Sequence, residues 1–359
     1  MPAAPARPSF LRAVAVLGAT ALLVGACSAD PTTPDQPDVT QQPAVAVVKA
    51  APPAPVVPVR WPLTGEAAES PVERPALAVK IENPREARPQ AGLEQADVVW
   101  EQVVEGGISR FVAVFHSQVP AEIGPIRSVR PMDPAIAAPL HGLMAFSGGQ
   151  PGFVQALGAA GLQIMSQDAG APGFYRKKGV APAPHNVYAT PQTLWEHADA
   201  GHAASPQAQF ALARRAEHAT AVVSGTPASA LDLTLSGYSH PRWSFDTASG
   251  TWLRSEGDTP ATAASGTRIA AANVVALRVR LVDSGTSDPA GNPVPETVLV
   301  DSGDGVVVSR GRSVEVRWSK PSTDAVLTLT TPDGAPVTLV PGSTWVELVP
   351  ASSGSIAVS

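Results

Sequence analysis

Hydrophobic positions fall into three patterns along this chain. From Ala13 to Ala26 they run almost without a break, after a start that carries Arg7 and Arg12 and no acid. A basic start, a short apolar run and small residues before a cut predict a secretory signal peptide over residues 1–27. The run is too short for a membrane span, which needs about 20 apolar residues. Residues 28–60 lose the pattern, with eight Pro, few charges and no period of two or 3.6, and predict an extended, disordered tether. From Trp61 onward, apolar runs of strand and helix length alternate with turn-forming clusters.

Within that third region, Pro75–Ile81 reads as a buried strand. Asp97–Val104 and Ile108–His116 read as two strands flanking Glu105-Gly106-Gly107, a hairpin turn. Pro134–Leu140 predicts a helix and Leu143–Phe146 a strand. A second helix starts at Pro151, with Phe153, Ala156, Leu157 and Ala160 at helical spacing, and a third follows Thr190, a candidate cap. After about His218 the helical period fades. Runs rich in Val, Thr and Leu alternate with turns such as Ser302-Gly303-Asp304-Gly305 and Thr331-Pro332-Asp333-Gly334. The expected fold is α+β. A mixed α/β N-terminal domain over 61–212 precedes a smaller, antiparallel β-rich C-terminal domain over 213–359.

Charge and cysteine usage narrow the function. The 359 residues carry a formal net charge of −6, and losing Arg7 and Arg12 with the leader makes it −8. No basic footprint for nucleic acid is present. The only cysteine, Cys27, rules out a disulfide framework, a thiolate zinc site and an iron–sulfur cluster. It closes the tetrad Val24-Gly25-Ala26-Cys27, which looks like a bacterial lipobox, so Cys27 is the expected lipidation site. The chain is then extracytoplasmic and anchored by its acyl chains to the outer face of the cell membrane, with no other membrane contact.

Candidate chemistry concentrates in the first domain. Glu101, Glu105, Arg110, Arg127 and Arg130 lie within thirty residues that are otherwise apolar or turn-forming. Arginine suits bidentate capture of carboxylate or phosphate, so these groups predict either an anion site or an internal ion-pair network. His185-Asn186, restrained by Pro184 and preceded by Arg176, Lys177 and Lys178, is a second candidate, for ligand contact or proton transfer. Ser147-Gly148-Gly149 lacks the glycine two before the serine that a nucleophile elbow needs, since Ala145 stands there. The seven His are scattered, the acidic turn Asp301–Asp304 has too few oxygens for calcium, and no phosphate loop or dinucleotide fingerprint is present. No metal, cofactor or catalytic residue is assigned.

Several motifs carry a family likeness. Pro62-Leu63-Thr64-Gly65, Ile81-Glu82-Asn83, Ala87-Arg88-Pro89-Gln90-Ala91-Gly92-Leu93 and Asp97-Val98-Val99-Trp100-Glu101 are four of them. Val104-Glu105-Gly106-Gly107-Ile108-Ser109-Arg110, Gly124-Pro125-Ile126-Arg127-Ser128-Val129-Arg130 and Pro184-His185-Asn186 continue the series. With Asn273-Val274-Val275 and Pro341-Gly342-Ser343-Thr344-Trp345, the chain resembles the YerB-like bacterial lipoproteins over nearly all of 61–350. The resemblance implies a two-domain envelope lipoprotein and brings no established activity. Two departures are Gln150, where the family has Ser before Pro, and the lack of an acid shortly before Ser265-Gly266. The expected function is a binding or scaffold module that presents its Arg/Glu site to an anionic envelope component or an envelope protein. The alternative is an envelope hydrolase or transferase using His185 and Glu105.

Overall fold

Apolar runs with a period of two become strands along most of the chain. The computed structural model describes residues 58–70 and 72–359; the leader, Cys27 and all but the last three residues of the tether lie outside the described residues. The first strand, β1 (Leu77–Glu82), is buried at every position. Next come β2 (Val98–Val103) and β3 (Ser109–Phe115), joined by Glu105-Gly106-Gly107, where both glycines take the positive φ that the tight turn requires. Helix α1 (Asp133–Ala137), β4 (Leu143–Phe146), α2 (Pro151–Ala159) and β5 (Gln163–Ser166) follow. A ribbon of β6 (Phe174–Arg176) and β7 (Val187–Ala189) precedes α3 (Pro191–Glu196). The side chain of Thr190 does not cap α3; its backbone carbonyl accepts from Thr193 and Leu194 instead.

Beyond the turn-rich stretch up to Ala219 come α4 (Thr220–Ser224), β8 (Thr226–Pro227) and β9 (Ala230–Thr234). Strands β10 (Pro241–Asp246), β11 (Thr251–Glu256), β12 (Thr259–Pro260) and β13 (Ala270–Ala271) continue the chain. A long hairpin of β14 (Asn273–Ser287) and β15 (Pro293–Val298) leads to β16 (Ser302–Ser309), β17 (Arg312–Ser319) and β18 (Thr328–Thr330). The last strands are β19 (Thr344–Pro350) and β20 (Ser355–Val358).

One sheet runs β18-β17-β16-β14-β19-β2-β3-β1-β4-β5, with β15 beside β14 and β8 beside β17. A second runs β12-β11-β10-β9-β20, with β13 beside β11. The first sheet passes through the 212/213 boundary. Strand β19 lies parallel between β14 and β2, so strand pairing joins the two halves, and residues 56–359 form one compact unit. The C-terminal half is otherwise antiparallel and β-rich as expected from the turns, with β19 as a parallel insertion. The first half is not clearly the mixed α/β domain expected, although β1, β4 and β5 pair in parallel. Helices α1, α2 and α3 hold only five, nine and six residues, so the architecture is sheet-rich with short helices. Each has a proline in its first two positions, and irregular loops rather than longer helices fill the rest of the segments between strands.

The pleat of β1, β2 and β3 sorts their side chains. Leu77, Val79, Ile81, Val99, Val103 and Phe111 face one core, shared with Leu231, Trp243, Trp252 and Ile269 of the second sheet. Ala78, Val98, Trp100, Val112 and Val114 face the other core, against Ile136 of α1 and Leu157 of α2. By the same alternation Glu101 points toward the second sheet, whereas Lys80, Glu82, Gln102 and Arg110 point toward α1.

Candidate functional site

On the α1 side, charged groups are taken up in pairs. Lys80 Nζ meets Asp133 Oδ1 at 2.6 Å with both side chains fully buried, and Gln102 Nε2 donates to the same oxygen at 2.6 Å. Asp133 Oδ2 accepts the backbone N–H of Arg130 at 2.7 Å. Burial pulls the Lys80 ammonium down to a pKa of about 8, with Asp133 opposing the shift. The Arg130 fork closes on Glu105 through Nε and Nη2, the latter at 2.8 Å, while Nη1 donates to Val129 O at 2.8 Å. Arg127 Nε reaches Glu82 Oε1 at 2.7 Å, and His185 Nδ1 lies 2.9 Å from the other oxygen, Glu82 Oε2.

Loop geometry brings these groups together. Residues 127–129 are laid between β1 and the Ser147-Gly148 loop, through Arg127 N–H to Lys80 O, Ser147 N–H to Arg127 O, and Val129 N–H to Gly148 O. At Gly148 a Cβ would stand 1.9 Å from Asp168 Oδ2, so a larger residue would displace that exposed carboxylate. His185 is fixed by its own N–H to Pro182 O at 2.9 Å.

Arg110 sits among these pairs without one of its own. Its Nη1 donates to Ser128 O at 3.0 Å, its Nε is buried with no acceptor, and no carboxylate forms an ion pair with it among the described residues. Only 5% of the residue is exposed. Burial, reinforced by the charges of Arg130 and Arg127, pushes its pKa down to about 9, so it remains a cation at neutral pH.

The opposite face holds a second cluster. Arg254 Nη2 lies 2.8 Å from both Glu101 Oε2 and Glu256 Oε1, and Nη1 lies 3.6 Å from Glu347 Oε1, which also accepts from Trp243 Nε1 at 2.8 Å. Its guanidinium packs 5.0 Å from the centroid of Trp345 and 5.5 Å from that of Phe111. Burial works against the charge of Arg254, but the three carboxylates outweigh it and raise the pKa. Glu347 is pushed well above the ordinary carboxyl range by burial and then by the charge of Glu101, its neighbour across β19 and β2. Beside this cluster, Asn83, Arg88, Gln90, Phe111, Arg254 and Glu256 line a cavity of about 320 Å³.

The residues expected from the sequence therefore divide. Glu105, Arg110, Arg127, Arg130 and His185 share one site. Glu101 does not join them, because the pleat turns it toward Arg254. Asn186 also stays apart and accepts from Arg176 Nη1 at 2.8 Å at the base of the loop between β6 and β7. Glu105 is taken by Arg130, so the acid beside His185 is Glu82. Sequence reasoning left out Glu82, Lys80, Asp133, Arg254 and Glu347. One signal was available: Lys80 and Glu82 stand two apart in an otherwise apolar strand, which places both on one buried face.

Comparison with known proteins completes the description. The N-terminal domain described as "Protein of unknown function (DUF3048)" matches residues 63–204, and the corresponding C-terminal domain matches residues 231–346. Over 129 residues the chain is 38% identical to "Putative lipoprotein YerB" of Bacillus subtilis (strain 168). That stretch is 35% of this chain and 39% of the relative, so the sequence match spans well under two thirds of the relative's length. The crystal structure of the YerB protein from Bacillus subtilis shares the fold with a TM-score of 0.68 at 24% identity, covering 83% of this chain and 99% of that one.

Proposed function

Because the chain belongs to the DUF3048 family, matched through both its N- and C-terminal domains, we propose that it is a lipid-anchored envelope protein that binds an anion at Arg110. The ligand is carried by an envelope component or a partner protein outside the membrane. One observation supports this reading above all: a guanidinium buried to 5% exposure, surrounded by ion pairs, without a counter-charge of its own. Removing an unpaired charge from water costs several kcal/mol, and an arriving anion would offset that cost. Arg127 and His185, whose side chains are about one quarter exposed on either oxygen of Glu82, form the approach.

Thermal melting of the full-length protein against anionic envelope fragments tests the proposal. A ligand at 100 times its dissociation constant adds about 2.7 kcal/mol, and Arg110→Gln should abolish that gain. A gain that survives in Arg110→Gln would move the site elsewhere.

A second reading, an envelope hydrolase or transferase, draws on a different observation. His185 Nδ1 is held by Glu82 at 2.9 Å, which would orient the opposite nitrogen as a general base toward whatever Arg110 and Arg127 bind. His185→Gln would then keep anion affinity and lose turnover. Turnover unchanged in that variant would remove the reading.

A further inference from the structure

Arg130 and Arg110 are two arginines in the same setting, and one of them shows what the other lacks. In Arg130, Nη1 donates to the carbonyl of Val129 while the Nε–Nη2 edge takes both oxygens of Glu105. In Arg110, Nη1 donates to the carbonyl of Ser128, on the loop that carries Arg130, and the Nε–Nη2 edge has no acceptor among the described residues. That edge is the one through which a guanidinium makes two parallel hydrogen bonds to paired oxygens.

The surrounding charges set how much negative charge the edge can take. Arg127 is matched by Glu82, Arg130 by Glu105 and Lys80 by Asp133. Among these arginines, lysine and carboxylates the surplus is one positive charge, that of Arg110. A further negative charge lies on the β14–β15 hairpin, where Gln150 Nε2, just before α2, donates to Ser287 O at 2.9 Å. The Asp288 carboxyl on that hairpin is held below its ordinary range mainly by Asn292, and also by the charge of Arg130.

We infer that the Arg110 site is matched to a singly charged oxyanion offering two oxygens side by side, as a carboxylate or a phosphodiester does, and that it discriminates against dianions. This rests on the reading that Arg110 receives the ligand. Counting only the groups paired within the cluster, and not Asp288, which is held by Asn292 on the hairpin, a monoanion neutralises it through the geometry that Glu105 shows on Arg130. A phosphate monoester or sulfate leaves an unmatched negative charge beside Glu82, Glu105 and Asp288.

The experiment is a titration of ¹⁵N-labelled full-length protein at pH 7, below the Lys80 pKa of about 8, and constant ionic strength, following the Nε–H resonance of Arg110. That resonance is identified by its absence in Arg110→Lys, which keeps the charge and loses the fork. Acetate and dimethyl phosphate should shift it saturably, with methyl phosphate and sulfate at least about 10-fold weaker, a difference of about 1.4 kcal/mol. The ranking of acetate against dimethyl phosphate then tells a planar source from a tetrahedral one. Dianions binding as tightly as monoanions would overturn the charge matching and leave the anion reading standing. No saturable shift from any of the four would overturn both. The ranking of anions needs only the unaltered protein, so it stands even if Arg110→Lys proves unstable.

Discussion

The two faces of the β1–β3 sheet each bury an arginine, and they treat it in opposite ways. Arg254, 1% exposed in its side chain, has Glu101 and Glu256 at 2.8 Å, Glu347 at 3.6 Å, and aromatic rings around it. Arg110 has a carbonyl and an empty edge. The Arg254 cluster draws on β2, β11 and β19 and therefore ties both halves of the chain together. The Arg110 cluster draws on β1, β3 and three loops of the first half, next to Arg127 and His185, each about one quarter exposed. An arginine with a surplus of acids is fastened to the fold. One with a deficit stays available to a ligand. Burial alone would not tell the two apart; the local charge count does.

The largest effect expected from this contrast is at Arg254. Arg254→Met strips the cation from three converging carboxylates and should cost about 3–5 kcal/mol, read from urea denaturation. A loss below about 1 kcal/mol would mean that the seam is held by apolar packing and that the ion cluster is incidental. Next in size is the comparison of Arg130 with Arg127. Arg130→Gln leaves Glu105 buried without its fork and should cost about 2–3 kcal/mol, somewhat under a fully buried pair because its side chain is 10% exposed. Arg127, 26% exposed, should cost less than about 1 kcal/mol on the same change. Equal losses at the two positions would dissolve the distinction between a structural arginine and one at the approach.

Much of this was legible in the sequence, for reasons that also mark its limit. The strands at 77–82, 98–103 and 109–115 follow from apolar period and from glycine at a turn, both local properties. The grouping of Arg110 with Glu105 follows from that hairpin. Strand β19 could not be placed, because its insertion beside β2 pairs residues 344–347 with 98–101, nearly the whole chain apart. The separation of Glu101 from Glu105 has the same kind of cause. Regular β2 ends at Val103, so the face rule that would align residues four apart stops before Glu105, and each acid meets an arginine from a different element. Glu82 lies one residue beyond the strand predicted over 75–81. Only the loops carrying Arg127 and His185 give it its role.

The smallest expected effect sharpens the comparison from the acidic side. Glu347 is raised well above the ordinary 4.5 by burial and by Glu101, and its Oε2 has no hydrogen-bond partner. Between 4.5 and its folded value, the folded chain holds a proton that the unfolded chain has released. Its contribution to stability is therefore full below pH 4.5 and is lost as pH rises through the folded value. Glu347→Gln keeps the acceptor for Trp243 Nε1 and replaces the titrating oxygen with a donor that can face Glu101. The variant should melt higher than the parent at pH 8 by the equivalent of about 1 kcal/mol, and the two melting curves should converge toward pH 4. If the gap does not narrow on acidification, Glu347 is ionised in the folded protein. Arg254 then stands among three negative charges, a still larger excess of acid than the cluster holds with Glu347 protonated.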